Sequence, residues 1–150
     1  MKAVIQRARQ ASVTVDGEIT GKIDRGMLIL LGVGHDDNEA HAEMLAGKIA
    51  RLRIFPDERD VPNLSLLNTG FEALVVSQFT LMADTRKGNR PGFAGAAPPE
   101  QAEQLYNAFV QFLREQIGEG SVATGRFAAM MDVAFVNEGP YTVLLESKIV

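Results

Sequence analysis

An unbroken apolar run, Met27 to Val33 with the sequence MLILLGV, constrains the fold more than any other segment of this chain. A strand with one face in water alternates apolar and polar side chains, whereas this run offers apolar side chains to both sides. The run is also far too short to span a bilayer, which takes about 20 apolar residues in a helix. It therefore predicts a central β-strand that is covered on both of its faces.

The segment before this run is typical of a β-hairpin. Ser12 to Val15 alternates and is rich in β-branched residues, Asp16-Gly17 follows, and Glu18 to Ile23 returns. Asp-Gly is favoured in two-residue hairpin turns because both central residues need a positive φ. A short strand is predicted at Ala3 to Ala8, and the turn Asp24-Arg25-Gly26 leads into the central strand.

Two segments have helical periodicity. The first is predicted at residues 38–53 with Asp36 or Asp37 as its N-cap, and its apolar stripe comprises Ala42, Leu45, Ile49 and Leu52. The second opens with Pro98-Pro99-Glu100, because proline and an acidic residue are both favoured in the first turn. It is predicted to end at Gly118 or Gly120, and its apolar face comprises Leu105, Phe109, Phe112 and Leu113.

The remaining segments alternate between short strands and loops. Loops are predicted at 56–62 and 82–97, and a loop as long as the second is more often functional than accidental. A turn is predicted at 68–70, and strands are predicted at residues 63–67, 72–79, 131–136 and 141–145, the last two joined by a turn at 137–140. The predicted fold class is α/β, a single domain over residues 1–150 with about seven or eight strands and two main helices.

The residue inventory excludes several kinds of chemistry. The 150 residues include no Cys, so a disulfide framework, a thiol nucleophile and a Cys-ligated zinc site are excluded. The formal charge of −4 argues against a protein that coats nucleic acid through many phosphate contacts, but it permits a small basic site. Arg7 and Arg9 interrupt the first apolar stretch, so no secretory signal is predicted, and we expect a cytoplasmic protein without a membrane segment.

The two histidines, His35 and His41, are the first candidates for a general base. Their separation of six residues does not place them on one helical face, which takes three or four. The acidic residues beside them are typical of a helix N-terminus, where carboxylates complement the helix dipole. A structural interpretation of both histidines is therefore favoured over a metal or acid–base site.

A short basic loop is the first candidate for binding an anion. Arg86, Lys87 and Arg90 lie within five positions of one another in an acidic protein. Arginine suits bidentate recognition of phosphate, so this loop is predicted to contact one or two phosphates rather than a long duplex. The alternative, a solvated charged loop without a ligand, stays open.

Two further segments are candidates for chemistry. Ser77, Gln78, Phe79 and Thr80 follow an apolar strand, and backbone N–H groups at such a strand end can stabilise the oxyanion of a tetrahedral intermediate. A nucleophilic serine normally needs a base, and no histidine partner is evident, so a strand-end hydrogen-bonding role stays the alternative. Gly139-Pro140 is predicted to form a turn, and a cis bond there would serve recognition.

Taken together, these segments resemble the D-aminoacyl-tRNA deacylase family over the whole chain. The two most specific blocks are SQFTL at Ser77 to Leu81 and Gly-Pro-x-Thr at Gly139 to Thr142. The other matching segments are MKAVIQRA (1–8), ASVTVDGE (11–18), LLGV (30–33), LRIFPD (52–57), NLSLL (63–67), LVVSQFTLMADTRKGNRP (74–91) and VNEGPYTVLLES (136–147).

The resemblance implies a fold, an assembly and an activity. The implied fold is a layered β/β/α sandwich, and the implied assembly is a homodimer. The implied reaction is hydrolysis of the ester between a D-amino acid and the 3′-terminal ribose of tRNA, together with removal of glycine mischarged on tRNA-Ala. The implied partner is the aminoacyl-tRNA acceptor end, met by the basic loop, and no DNA, metal or cofactor is implied.

The resemblance also assigns roles to residues. Gly139 and Pro140 would form a cis bond that enters the neighbouring subunit's pocket and rejects L-amino acids, with Arg7 supporting its orientation. Met131 would line the substrate pocket. Catalysis would rest on the strand-end residues Ser77, Gln78, Phe79 and Thr80, mainly through their backbone N–H groups. The hydroxyl of Thr80 and the ribose 2′-hydroxyl would take part as well.

Four positions depart from the family pattern. Tyr141 stands where Val is usual, Pro62 replaces an apolar residue, Ala128 replaces Gly, and Met130 replaces a polar residue. The change at 130 bears on pocket shape and amino-acid preference rather than on hydrolysis. Two other functions remain alternatives, namely a non-catalytic module that binds the tRNA acceptor end and a small-molecule esterase.

Overall fold

A computed structural model of the chain describes residues 1–147. Most of these residues belong to eight strands and three helices, in agreement with the expected single α/β domain. In chain order the elements are β1 (Lys2–Val15), β2 (Glu18–Ile23), β3 (Gly26–Gly32), α1 (Glu39–Ala50), β4 (Phe55–Pro56), β5 (Pro62–Leu64), α2 (Leu66–Thr69), β6 (Glu72–Ser77), α3 (Pro99–Ile117), β7 (Val122–Thr124) and β8 (Asp132–Glu146).

The first strand organises the sheet. The prediction of separate strands at Ala3 to Ala8 and Ser12 to Val15 is wrong, because β1 runs without a break. One edge of β1 pairs with β3 and then with β2, and its other edge pairs with β8 over nearly its whole length. These partners on both edges hold the polar residues between the two apolar segments in an extended conformation. Asp16 and Gly17, with φ of 49° and 79°, form the predicted hairpin turn.

The six-stranded sheet curls until its ends nearly meet. β3 pairs in parallel with β6, and β6 pairs in parallel with β7. At the opposite end, β2 approaches β7 so closely that a Cβ on Gly21 would lie 2.2 Å from the Thr124 carbonyl oxygen. Glycine at 21 therefore permits the backbone contact that brings the sheet close to a barrel. β4 and β5 form a separate two-stranded sheet.

The central strand β3 is covered on both faces, as the apolar run predicted. Met27, Ile29 and Leu31 pack with α1 and α3 in one apolar cluster. Leu28 faces the second cluster, which fills the inside of the curled sheet together with Val13, Ile23 and other residues. β3 therefore contributes side chains to both apolar clusters and is the central strand of the fold.

Both main helices form where they were expected, with different caps. The N-cap of α1 is Asn38, whose side chain accepts the His41 N–H. The prediction of Asp36 or Asp37 is wrong because the Asp37 carboxylate instead accepts the Gly34 N–H at 2.6 Å. Gly118, with φ of 108°, ends α3 as predicted. No helix within residues 1–147 is long and apolar enough to cross a membrane.

Four other local predictions need correction. The expected strand at 63–67 divides into β5 and the short helix α2, because the Ser65 N–H is bonded by the Asn68 side chain in a helix cap. The strand expected at 72–79 ends at Ser77 in a 3₁₀ helix, Phe79–Met82. β7 was not predicted, since three residues carry almost no periodicity. The two tail strands are a single strand, β8, because β1 pairs with both halves.

Candidate active site at the end of β6

The end of β6 carries two unpaired backbone donors. The Gln78 N–H donates to the Leu31 carbonyl at 2.8 Å, and the chain then turns into the 3₁₀ helix. The first N–H groups of any helix have no acceptor within it. Among the hydrogen bonds of residues 1–147, none is donated by the backbone N–H of Phe79 or Thr80. The turn therefore presents two adjacent donors at an exposed strand end, the arrangement that an oxyanion requires.

A close backbone approach holds this turn against the central strand. A Cβ on Gly32 would lie 2.9 Å from the Gln78 carbonyl oxygen and 3.0 Å from Leu81 Cβ. Any larger residue at the end of β3 would push the 3₁₀ helix away. Glycine at 32 thus fixes the position of the two donors relative to the sheet.

The side chains of the turn surround these donors. Gln78 Nε2 donates to the hydroxyl of Thr80, which is exposed. The Phe79 ring is 59% exposed and meets the Phe93 ring edge-on, with 5.1 Å between centroids. Phe93 was not singled out from the sequence, and the only signal was an aromatic residue within a polar loop. The two rings form an apolar wall beside the polar donors, which is a suitable surface for an organic ligand.

The basic loop lies next to this wall. Asp84 and Gly92 exchange backbone hydrogen bonds of 2.7 and 2.9 Å, which close residues 84–92 into a small hairpin. The loop borders an open groove of about 820 Å³ that also includes Met82 and Gly95. The contact between Phe79 and Phe93 therefore places the candidate phosphate-binding loop beside the turn that carries the candidate oxyanion donors.

The three cations of the loop are not equivalent. Arg86 forms a two-point ion pair with Asp84, with N–O distances of 2.6 and 2.9 Å. Hydrogen bonding from Arg86 holds the pKa of Asp84 well below its usual range and raises the pKa of Arg86. Lys87 and Arg90 take part in no ion pair within residues 1–147. These two side chains are therefore the ones free to meet a phosphate.

The Gly-Pro segment forms a bulge in β8 rather than a turn between strands. Asn137 pairs with Ala8 and Thr142 pairs with Gln6, so residues 138–141 lie opposite the single residue Arg7. We call residues 138–141 the Gly-Pro bulge. Gly139 and Pro140 are both exposed on it, and the peptide bond between them is cis.

Arg7 contacts both ends of the Gly-Pro bulge and ties it to the segment before β4. Its Nε donates to the Glu138 carbonyl at 2.9 Å, its Nη1 donates to the Ile54 carbonyl at 2.6 Å, and its guanidinium lies 4.8 Å from the centre of the Tyr141 ring. A Cβ on residue 139 would lie 2.6 Å from Asn137 Oδ1. A side chain at 139 would therefore displace the Asn137 amide, and Arg7 contacts the residue directly before Gly139.

A single chain does not bring the bulge and the strand end together. Arg7 pairs with Met27 in β3, whereas Ser77 pairs with Leu31 at the other end of that strand. With a rise of about 3.3 Å per residue and about 4.8 Å between strands, the two segments are about 20 Å apart along the sheet. Within one subunit the two segments therefore lie on different parts of the sheet.

Residues 128–131 lie beside the interior of the sheet. Met131 packs against the interior cluster, and its sulfur would lie 2.7 Å from a Cβ on Gly125. Met130, in contrast, is 92% exposed. Ala128 has φ of 60°, a conformation that suits glycine better than alanine.

The two histidines take part in structural contacts. His41 Nδ1 accepts the Asn38 N–H at 3.0 Å and completes the cap of α1. The His35 ring bonds the Ala94 carbonyl at 2.7 Å and ties β3 to the return of the long loop. Within residues 1–147, no group of three or more His, Cys, Asp or Glu side chains is placed to hold a metal ion.

Comparisons with known proteins give a consistent result. A sequence profile of the family described as D-Tyr-tRNA(Tyr) deacylase matches residues 4–146. D-aminoacyl-tRNA deacylase from Roseiflexus sp. strain RS-1 is 59% identical over 99% of this chain and 95% of its own. The enzyme of that name from Brevibacillus brevis is 54% identical over 98% of this chain and all of its own.

Two solved structures have the same fold. One, described as a c-Myc DNA unwinding element binding protein, is 43% identical with a TM-score of 0.94 and covers 99% of this chain and 100% of its own. The other, described as a probable eukaryotic D-amino acid tRNA deacylase, is 19% identical with a TM-score of 0.84 and covers 96% of this chain and 97% of its own. The second similarity concerns the fold alone.

Proposed function

The chain belongs to the D-Tyr-tRNA(Tyr) deacylase family, and from this membership we propose how its site hydrolyses a D-aminoacyl-tRNA and rejects the L form. The activity itself follows from full-length relatives that carry it at more than half identity. The protein is a hydrolase that cleaves the ester bond between a D-amino acid and tRNA.

Catalysis is proposed to rest on the backbone of the β6 end. The ester carbonyl oxygen would lie against the free N–H groups of Phe79 and Thr80, where its negative charge develops when water adds to the carbonyl carbon. One such donor is worth on the order of 10²–10³ in rate. The tetrahedral intermediate then collapses, the ribose 3′-oxygen leaves with a proton, and the free amino acid is released.

The His35 ring is bonded to the Ala94 carbonyl and the His41 ring caps α1, so the water is assigned another base. We propose that the ribose 2′-hydroxyl of the substrate assists, and that the Thr80 hydroxyl, held by Gln78, is the side chain that contacts the reacting group. Ser77 would complete the polar wall of the pocket at the strand end. An aminoacyl ester is already reactive, so positioning and oxyanion stabilisation can supply much of the acceleration.

Discrimination is proposed to come from the Gly-Pro bulge of a second subunit. The bulge is exposed, is held rigidly by Arg7, and lies about 20 Å from the strand end of its own chain. In a neighbouring subunit's pocket, the carbonyls of Gly139 and Pro140 would contact the substrate α-amino group and occupy the space of an L side chain. Glycine has no side chain to exclude, which supports removal of glycine from mischarged tRNA-Ala as well.

The proposed homodimer is supported by the state of β8 in a single chain. None of its fifteen residues is buried, although the strand includes many apolar side chains. Leu144 is 74% exposed and pairs with Val4 on the sheet face opposite the helices. A second copy packed on this face would bury apolar surface at about 25 cal/mol per Å².

The remaining contacts complete the proposal. Lys87 and Arg90, with Arg86 as their paired neighbour, would meet the phosphates of the acceptor end, whereas a net charge of −4 gives little affinity for duplex DNA. Met131 would shape the amino-acid pocket from the interior side. We propose that the deacylase domain extends over residues 1–150, that it works in the cytoplasm and that it needs neither metal nor cofactor.

A matched pair of substrates tests this function. We expect the protein to release tyrosine from D-Tyr-tRNA and to leave L-Tyr-tRNA intact. Equal release from both substrates, or from neither, would contradict the proposal. Binding of charged tRNA without turnover would instead indicate a non-catalytic acceptor-end module, and equally fast cleavage of RNA-free aminoacyl esters would indicate a small-molecule esterase.

A further inference from the structure

A second arginine also contacts the Gly-Pro bulge. Arg25, in the turn between β2 and β3, forms an ion pair with the Glu138 side chain through N–O distances of 3.0 and 3.3 Å. The Glu138 side chain is only 14% exposed. Glu138 is therefore held at two points, its carbonyl by Arg7 and its carboxylate by Arg25, directly before Gly139.

Arg25 is itself supported by aromatic side chains. Its guanidinium lies 4.8 Å from the centre of the Phe71 ring. The Phe71 ring meets Phe55 edge-on at 5.1 Å, and Phe55 is fully buried in the cluster between sheet and helices. A line of direct contacts thus leads from the core through Phe71 and Arg25 to Glu138.

The backbone of Arg25 is fixed as firmly as its side chain. The Arg25 carbonyl accepts the Glu72 N–H at 3.1 Å, and the Asp24 N–H donates to Glu72 Oε1 at 3.0 Å. A Cβ on Gly26 would lie 1.7 Å from the Glu72 carbonyl oxygen. The turn is therefore pressed against the start of β6 and has little freedom to move.

We infer that Arg25 is a positioning residue for discrimination between D- and L-aminoacyl-tRNA. Arg7 holds the Glu138 carbonyl and stacks on the Tyr141 ring, and Arg25 holds the Glu138 carboxylate. A bulge of four residues whose first residue is held at two separate atoms has less freedom to shift its tip than one held at a single atom. The inference rests on the proposed role of Gly139 and Pro140 as the filter, and it adds the residues that set the filter's position.

The consequence concerns selectivity more than turnover. Arg25 directly precedes Gly26, the first residue of β3, which pairs with Ala8. It therefore lies at the end of β3 opposite to the one beside the β6 end. Loosening the bulge would let its tip yield to an L side chain, while the strand-end donors would stay in place. Selection by exclusion depends on a rigid bulge, because a bulge that moves aside adds little free energy to the binding of an L-aminoacyl group.

The test compares Arg25→Gln, Glu138→Gln and the double variant in the full-length protein. The measured quantity is the ratio of kcat/KM on D-Tyr-tRNA to kcat/KM on L-Tyr-tRNA. We expect each single variant to lower this ratio about tenfold, mainly through faster L hydrolysis, and the double variant to lower it no further because both changes remove one interaction. Arg51→Gln, which removes a comparable exposed arginine contact on α1, is the control and should keep the wild-type ratio.

Three outcomes separate the possibilities. An unchanged ratio in both single variants, with thermal stability close to wild type, would overturn the inference. A ratio lowered only through slower D hydrolysis would also overturn it, since that result indicates damage to the catalytic end. If the wild-type protein itself fails to distinguish the two substrates, the proposed function fails first, and the inference fails with it.

Discussion

At the scale of single residues, a few side chains decide where the functional backbone lies. Arg7 bonds two carbonyls and stacks on Tyr141, so one guanidinium fixes the Gly-Pro bulge from below. Gly32 works in the opposite way, since its missing side chain lets the β6 turn approach the sheet. Tyr141, which departs from the usual Val, supplies the ring on which Arg7 lies.

Tyr106 is a further residue whose buried polar group affects the stability of the site. Its hydroxyl donates to the Val75 carbonyl at 2.8 Å, two residues before Ser77. Burial raises its pKa to about 12, although the positive charge of Arg114 acts in the opposite direction. The folded protein therefore favours the neutral phenol more strongly than the unfolded chain does.

We expect the free energy of unfolding to decrease in alkali because of Tyr106. A raised pKa in the folded state contributes stability that is complete below the unfolded value of about 10 and is lost as the pH rises towards about 12. Tyr106→Phe should weaken this decrease and should cost about 1 kcal/mol at neutral pH, because the Val75 carbonyl loses one of its two donors and keeps only the Gly125 N–H. Urea denaturation at pH 7, 9 and 10.5 measures both effects.

The control for this measurement is the other tyrosine of the chain. Tyr141→Phe should keep the alkaline decrease in stability, since it leaves the Tyr106 hydroxyl in the core. An equally steep decrease in Tyr106→Phe and wild type would show that other groups cause it.

At the scale of elements, irregular segments carry the chemistry and regular ones hold them. β6 ends in a 3₁₀ helix that frees two N–H groups, and β8 places four residues opposite the single residue Arg7. The long loop at 82–97 is tied back to β3 by the bonds His35 N–H to Gly95 and Ala97 N–H to Val33. The basic hairpin at 84–92 is therefore presented from a fixed base.

The basic hairpin leads to a prediction about salt dependence. Lys87→Gln with Arg90→Gln should weaken the binding of charged tRNA and reduce the slope of log affinity against log salt concentration by about 1 for each lost phosphate contact. Arg59→Gln, an exposed arginine in the loop before β5, should leave that slope unchanged. Fluorescence anisotropy over a salt series measures the slope. A slope that is the same in the double variant and wild type would remove this hairpin from the tRNA interface.

At the scale of the whole molecule, the separation of the two functional segments is the dominant feature. The bulge and the β6 end lie on different parts of one sheet. In the proposed dimer, a second copy on the uncovered face of β8 supplies the bulge that meets the strand end of its partner. Under that proposal, selectivity depends on assembly.

This arrangement predicts that association and activity are lost together. Leu144→Lys places a charge on the exposed face of β8 and should give a monomer that no longer hydrolyses D-Tyr-tRNA selectively. Met44→Lys, at an apolar position on α1 that is 40% exposed, should associate and hydrolyse D-Tyr-tRNA as the wild type does. Analytical ultracentrifugation with the matched D and L assay measures both properties. A monomeric Leu144→Lys protein with full selectivity would show that the bulge acts without a partner.

Local sequence patterns determined a large part of this structure. The apolar run of β3, the Asp16-Gly17 turn and the glycine that ends α3 all follow from backbone preferences and periodicity over a few neighbouring residues. The candidate strand-end residues and the basic loop were also identifiable, because polar residues after an apolar strand and clustered cations are local signals. The resemblance to a family added the roles proposed for Gly139, Pro140 and Arg7.

Tertiary structure alone decided what depends on distant partners. β1 and β8 are continuous strands because each pairs with the other along its length, and neither sequence pattern contains that information. Arg25 in a tight turn had no local signal, since its partner Glu138 lies 113 residues away. Arg86 and Asp84 are close in sequence, yet only the folded structure shows that Arg86, rather than Lys87 or Arg90, forms the ion pair. Periodicity depends on residues that are near one another in sequence. The position of the Gly-Pro bulge depends instead on contacts of Arg7 and Arg25 with Glu138, which only the folded sheet brings together.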